Sequence, residues 1–499
     1  MNRRDSVKKH ALLKIVGLCM ASAMLLTSCG GAGNVPTQIP VGTAAPAPAA
    51  TDNTAAATAA PATDNTQAAA TAAPAPAGPV TIRTTFGPGE MSDAQIKEFN
   101  DANNGAIKVE YVAADDTKLM AMIAAGNAPD IIRIMAVQQL PTYVTRGLCL
   151  NIQDYVDKST VFKTDDFLDI CGAYQWDGQK TGSGPIYGFV KDWSLDQMLE
   201  VNTTLLNAKG VATPDLNTPL TYSQVCDICS KVMTKNADGS LDVYGFAGWD
   251  PLFSIGNMLS LDLMFDQTPW SADYQTASIN TDLNKDLLNK INDAVQKGYF
   301  DGGVVNPLPG DSTAMLVEGK LAILQMGYWV GGVIRTNDQA KDIMDDILLL
   351  PAMQYDGATK RVSPCAAATG AIMLKQTPNP DQAFKVMEWF FAGQPAIDRA
   401  TSGWGIPAFK SLLADMPQDT NFDKQWYTAV MNEMQNADYI YVQYNPYINS
   451  SAVGGLFDKI INPVYSGTST VDEALPELET QIQSLIQEGM DIAGVGAAQ

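Results

Sequence analysis

The chain has 499 residues, with 54 Asp and Glu against 32 Lys and Arg, a formal net charge of −22. A surface this acidic argues against nucleic acid and against adhesion to anionic lipid, and favours a soluble, self-repelling body. The only histidine is His10, so the rest of the chain lacks an imidazole base, a Ser-His or Cys-His pair and the commonest zinc ligand. Hydrolysis by paired carboxylates stays open in principle, but no pair is singled out, and the expectation is a non-enzymatic protein without metal or cofactor.

In chain order, Arg3, Arg4, Lys8, Lys9 and Lys14 form a basic head before an apolar run from Ala11 to Leu26. A stretch this short with a basic flank predicts a secretory signal rather than a spanning helix. It ends in Leu26-Thr27-Ser28-Cys29, which resembles the lipobox of bacterial lipoproteins. That resemblance implies a signal over 1–28 and a mature chain that begins at Cys29 with lipid on its sulfur. A diacylated cysteine would be a firm tether, because two chains hold stably where one is marginal. Loss of the signal removes five cations and one anion, which leaves 27 against 53 and a net charge of −26. Residues 29–79 are almost all Ala, Pro, Thr, Gly, Asn and Asp, with Thr51-Asp-Asn-Thr54 echoed by Thr63-Asp-Asn-Thr66. Such a segment buries too little apolar surface to offset its ordering entropy. It is expected to be a flexible spacer of roughly 40 Å.

From Val80 onward the composition is globular, and the length suits two lobes better than one core. Val80 to Phe86 alternates as a strand. Ser92 and Gln95 make a capping box for a helix with Ile96 and Phe99 on its apolar face. Ile107 to Val112 is a second strand, and Lys118 to Ala125 a helix stopped by Gly126 and Pro129. Ile131 to Met135 is a short buried strand. Strand, helix, strand, helix, strand with short loops predicts a parallel sheet with right-handed crossovers. In such sheets ligands sit outside the carboxyl ends of the strands, which makes the loops Phe86–Glu90 and Ala136–Gln139 candidates, with Arg133 nearby.

Five cysteines follow Cys29, namely Cys149, Cys171, Cys226, Cys229 and Cys365. An odd number leaves at least one thiol free if the others pair. Cys226 and Cys229 have redox-motif spacing, but they fall in an amphipathic helix from Tyr222 to Met233 after Thr221. They are read as small buried hydrophobes.

Several segments, in order, resemble the family 1 extracellular solute-binding proteins, the group that includes maltose- and other oligosaccharide-binding proteins. They are Ala125-Gly-Asn-Ala-Pro-Asp130-Ile, Tyr187-Gly-Phe-Val-Lys191-Asp192-Trp193, Gly319 to Trp329, Ala383 to Phe391 with Gly403-Trp404-Gly-Ile-Pro407, and Thr470 to Leu475. The match they make extends over nearly all of Val80 to Gly489. The sequence departs from the family pattern at Val190, at Glu200-Val201 and at Pro476. The resemblance implies an α/β, two-lobed periplasmic-binding-protein-like fold of type II, each lobe a mainly parallel sheet flanked by helices, with a multi-segment hinge. The N-terminal lobe is expected over 80–190 plus about 352–410, and the C-terminal lobe over about 191–351 plus about 411–499.

The same resemblance implies a carbohydrate captured by cleft closure and handed to the transmembrane permease of an ATP-binding cassette importer. The expected protein is a monomer on the outer face of a Gram-positive cell membrane, held there through its lipid only. A sugar offers flat C–H faces and a rim of hydroxyls, so its site needs aromatic plates and planar polar groups. Trp329, Trp193, Trp404 and Trp249 are the candidate plates. Asp192, Asp250, Gln138, Gln139, Arg133, Phe86, Glu90 and Tyr444 are the candidate neighbours. Asp130 and Trp389 are read as structural. The rival readings are a non-sugar metabolite or peptide on the same scaffold, and a surface glycan binder without an importer.

Overall fold

The computed structural model describes residues 78–248, 252–441 and 443–495. The expected signal, Cys29, the spacer up to residue 77, Trp249 and Asp250 lie outside the described residues.

The first strand, Val80–Thr84, buries alternate side chains and runs parallel to Ile107–Tyr111 from Val80 opposite Ile107 to Thr84 opposite Tyr111. Between them the helix Asp93–Ala102 starts on the expected capping box. Ser92 Oγ accepts from the Gln95 amide at 3.3 Å and Gln95 Oε1 accepts from the Ser92 amide at 3.0 Å. The next helix, Asp116–Ala124, begins two residues before the expected Lys118, because Asp115 Oδ1 accepts from the Lys118 amide at 2.7 Å and caps it. Strand Ile131–Met135 is as expected, but no loop follows: the helix Ala136–Thr145 starts at once. Its first amides bond across the chain, Ala136 to the Ala368 carbonyl at 3.4 Å and Val137 to Ala367 at 3.2 Å. A start capped by distant carbonyls leaves no local sequence signal.

Two five-stranded sheets result. In the first, Thr369–Met373 lies antiparallel between Ile131–Met135 and Gly188–Val190. The second has the order Ile347–Leu350, Leu199–Asn202, Leu321–Gln325, Leu241–Gly248, Thr234–Lys235, and only Leu321–Gln325 with Leu241–Gly248 pair in parallel. The fold is therefore mixed α/β with two sheet-containing lobes. The chain leaves the first sheet after Val190 and joins the second at Leu199; it leaves Leu350 and re-enters the first at Thr369. On that return Val362–Cys365 pairs with Tyr439–Tyr441 as a small parallel ladder. Every residue of Leu321–Gln325 is buried, as befits a strand covered on both faces.

All five cysteines of the described body are free. Cys226 and Cys229 lie on the helix Tyr222–Val232, and burial pushes both thiols up. This is the opposite of what a redox pair needs. Among the described residues no helix is long and apolar enough to cross a membrane, and no cluster of His, Cys, Asp and Glu has metal-ligand geometry.

Candidate functional site

The carboxyl ends of Val80–Thr84 and Ile131–Met135 in one sheet and of Leu321–Gln325 in the other border a common gap. A cavity of about 320 Å³ occupies it. Its wall takes Arg133 and Met135 from the third strand and Glu90 from the loop after the first. Thr369 comes from the antiparallel strand, and Met326 and Trp329 from the turn after Leu321–Gln325. The crossing segments close the floor with Lys191, Asp192, Ser194 and Asp196 on one side and Ala366 and Ala367 on the other.

The apolar part of the wall is indole. Trp404 is 43 % exposed, and Trp329 is half-buried at the start of the helix Val330–Thr336. Gly327 makes the Trp329 turn possible: its φ is +84°, and a Cβ there would lie 2.3 Å from the Leu195 carbonyl oxygen. Trp404 rests on Gly332, where a Cβ would sit 3.0 Å from Trp404 Cε3. Trp193 also borders the cavity, yet it is only 3 % exposed, and its Nε1 donates to the Pro407 carbonyl at 3.0 Å. Its backbone bonds to Ile406 in both directions, which fastens the crossing segment to the Trp404 loop.

The polar part is a chain of charges. Glu90 Oε2 accepts from Arg133 Nε and Glu90 Oε1 from Lys191 Nζ, each at 2.7 Å, and Asp192 Oδ2 lies 3.0 Å from the same Lys191 nitrogen. Burial alone would raise the Glu90 carboxyl, but Lys191 and Arg133 outweigh it and hold it below its usual range. Asp196 behaves the other way. Burial lifts it from 3.8 to about 7, although its Oδ2 accepts from the Ala366 amide at 2.7 Å. Behind the Trp329 turn, burial pushes Glu200 well above its usual range. Its Oε2 accepts from the Met326 amide at 3.1 Å, and its Oε1 has no partner among the described residues. The site thus offers fixed donors, a carboxyl poised between its two states, and indole plates. That suits recognition of hydroxyls and C–H faces.

Glu90, Arg133, Gln138, Asp192, Trp193, Trp329 and Trp404 are brought together here. Phe86, expected at this wall, is instead fully buried in the first lobe, its ring 4.9 Å from Phe390 and 6.0 Å from Phe391. Gln139 turns back onto its own helix start, where its Oε1 accepts from the Met135 amide at 2.8 Å. Tyr444 lines a neighbouring hollow with Phe253 and Phe457. Sequence reasoning missed Lys191, Ser194, Asp196, Met326 and Thr369 as wall residues. Lys191 and Asp196 flank the Asp192-Trp193 pair it did flag, and two charges in an otherwise buried crossing were the available signal.

The family model for bacterial extracellular solute-binding proteins matches residues 94–426. No curated protein matches the chain. Among solved structures, the substrate-binding protein Lmo0181 of Listeria monocytogenes, in complex with cycloalternan, superposes with a TM-score of 0.65 at 20% identity, over 82% of this chain and 99% of its own. Maltose-bound MalE3 of T. maritima gives 0.64 at 15% identity over 81% and 100%. The maltose/maltodextrin-binding domain MalE of Bdellovibrio bacteriovorus, bound to maltotriose, gives 0.62 at 15% over 83% and 99%. At these identities the structural likeness establishes the fold. The family match covers most of the chain, which therefore belongs to the bacterial extracellular solute-binding proteins.

Proposed function

We propose that this chain is a lipid-anchored, extracytoplasmic binding protein that closes its two lobes on a carbohydrate and delivers it to an ATP-binding cassette importer. One observation carries the sugar reading: Trp329 and Trp404 border an inter-sheet cavity whose floor is an ordered row of carboxylates and cations. Indole faces take the C–H faces of a pyranose, while Glu90, Arg133 and Asp192 meet its hydroxyls. Trp249 and Asp250 remain candidate contacts by their place in the sequence. Ligand bound to both lobes stabilises the closed arrangement over the open one by its differential affinity. Cys29 supplies the tether and residues 30–79 the slack to dock and undock. The neighbouring folds whose ligands are cycloalternan, maltose and maltotriose support the same class of solute.

The test is a thermal-shift screen of the mature protein against mono- and oligosaccharides, followed by calorimetric titration of the hits. A carbohydrate should raise the midpoint in proportion to its affinity. A panel that leaves the midpoint unmoved, alongside a peptide or amine that raises it, would replace the sugar with another solute.

A further inference from the structure

Gly332 and Arg335 fall three residues apart on the helix Val330–Thr336, so they share one of its faces. That face meets the Trp404 loop. A Cβ on Gly332 would lie 3.1 Å from the Trp404 Cα and 3.5 Å from the Gly403 carbonyl oxygen, and one on Gly331 would lie 2.8 Å from Trp426. The helix is thus wedged between two indole residues. In its last turn Arg335 donates through Nε to Asp423 Oδ1 at 2.6 Å and through Nη1 to the Gly403 carbonyl at 3.0 Å. Gly403 ends the helix Gln394–Ser402 with a φ of +66°, and a Cβ there would lie 2.6 Å from Arg335 Nη1. Glycine is what lets the guanidinium come this close.

The guanidinium is itself held in place. Its side chain is 15% exposed, and its Cζ lies 5.2 Å from the Phe422 ring centre and 5.8 Å from that of Tyr328. Asp423 keeps its other oxygen for the start of its own helix, Asn421–Asn436, where Oδ2 accepts from Thr420 Oγ1 at 2.7 Å. Burial alone would raise the Asp423 carboxyl, but the bonds from Arg335 and Thr420 outweigh it and hold it below its usual range. These contacts join the two lobes. Gln394–Ser402 packs on the helix Pro380–Ala392, which lies against Val80–Thr84 and Thr369–Met373 of the first sheet. Asn421–Asn436 lies against Ile347–Leu350 of the second sheet, and Val330–Thr336 reaches that sheet through the helix Ser312–Val317.

Building on the carbohydrate reading above, we propose that Arg335 is a positioning residue of the binding site, which latches the Gly403 carbonyl of the opposite lobe and so holds the Trp404 indole at the cavity wall. Arg335 is not one of the described residues that border the cavity, so it acts through Trp404 and not on the guest. A planar guanidinium meets Asp423 and Gly403 at once, each along its own N–H. A lysine ammonium is a single point, which can keep the ion pair but loses the carbonyl. Without the latch Trp404 is free to leave Gly332, and a guest must then order that plate as it binds.

The experiment uses the mature protein labelled with 5-fluorotryptophan, whose fluorine spectrum reports each indole, and Trp404→Phe identifies the Trp404 line. In Arg335→Lys and Arg335→Met without ligand, the Trp404 line should shift or broaden, while that of Trp176, in the ladder of Gln175–Trp176 with Thr181–Ile186, stays in place. Arg335→Lys keeps the Asp423 ion pair, so it tests the latch in a folded protein even if Arg335→Met unfolds. Calorimetric titration with maltotriose, cellotriose and mannotriose gives the second readout. The best bound of the three should weaken about tenfold in Arg335→Lys, and not at all when the same substitution is made in a Trp404→Ala background. A Trp404 line at the parent's position in Arg335→Lys, an undiminished affinity, or equal losses with and without Trp404 overturns the positioning role and leaves the sugar reading intact. Binding of none of the three sugars, together with a moved Trp404 line, overturns the carbohydrate reading and leaves the latch standing.

Discussion

The fold buries carboxyls that burial holds neutral, and this should make stability fall as pH rises from acid towards neutral. Asp262 is 1 % exposed, its Oδ1 has no partner among the described residues, and burial lifts it from 3.8 to about 7. Burial also pushes Glu200 well above its usual range, and Asp196, beside the cavity, to about 7. For a carboxyl whose folded value is raised, the unfolded chain loses its proton first. Stability is then complete below the unfolded value near 4 and is lost as pH climbs towards the folded value. In between, each such group contributes about 1.4 kcal/mol per pH unit. From pH 5 to pH 7, Asp262 therefore removes roughly 2 kcal/mol, and Asp196 and Glu200 act with the same sign. The carboxylates held low, such as Glu90 and Asp423, act with the opposite sign but only at more acid pH. No imidazole confuses this window, since His10 is the only histidine. Thermal and urea midpoints of the mature protein, taken from pH 5 to 7.5 at constant ionic strength, should fall steadily, and Asp262→Asn should flatten the slope. A midpoint that is level or rises with pH, or an Asp262→Asn variant with the full slope, would refute the reasoning.

Trp329→Ala removes one stacking plate and should weaken the best ligand by about 1.5–3 kcal/mol, or ten- to hundredfold in Kd, by fluorescence titration; parent-like affinity would remove Trp329 from the site. Glu90→Gln abolishes two ion pairs at 2.7 Å, one of them to a Lys191 side chain that is 2% exposed. The unfolding free energy should drop by about 2 kcal/mol, less than for a wholly buried pair because Arg133 is 32% exposed; an unchanged urea midpoint would contradict this. Gly332→Ala places a methyl 3.0 Å from Trp404 Cε3. Binding should weaken severalfold in the parent and not at all in a Trp404→Ala background, and additive losses would show that Gly332 acts by another route.

What the sequence made legible follows the range of the interactions involved. The first helix was readable because Ser92 and Gln95 satisfy each other three residues apart. The short strand Ile131–Met135 was readable because Ile131, Ile132 and Ile134 make a compact apolar run that the sheet buries. The helix start at Ala136 was not, since its amides are met by carbonyls more than two hundred residues further on. Phe86 alternates correctly as a strand residue, but only Phe390 and Phe391 decide that its face is core rather than cleft. The cleft itself obeys the same limit. Lys191 and Glu90 are 101 residues apart in the chain and 2.7 Å apart in space, and nothing local in the sequence pairs them.

Indoles beside glycine and aspartate stood out because a plate at a strand end needs a tight turn to expose it, and Gly327 supplies one such turn in the sequence itself. The charges that orient a guest beneath those plates come from strand ends of both sheets and from the crossing segments between them. Their pairing depends on how the two sheets are held, so a single sequence shows the plates before it shows the floor. Asp196 and Lys191 sit in the segment that joins the two sheets, so under the closure proposed above a ligand that hydrogen-bonds to them would touch a connection between the lobes. A substitution there should change binding and closure together, and one at Trp329 should change closure only in the presence of ligand.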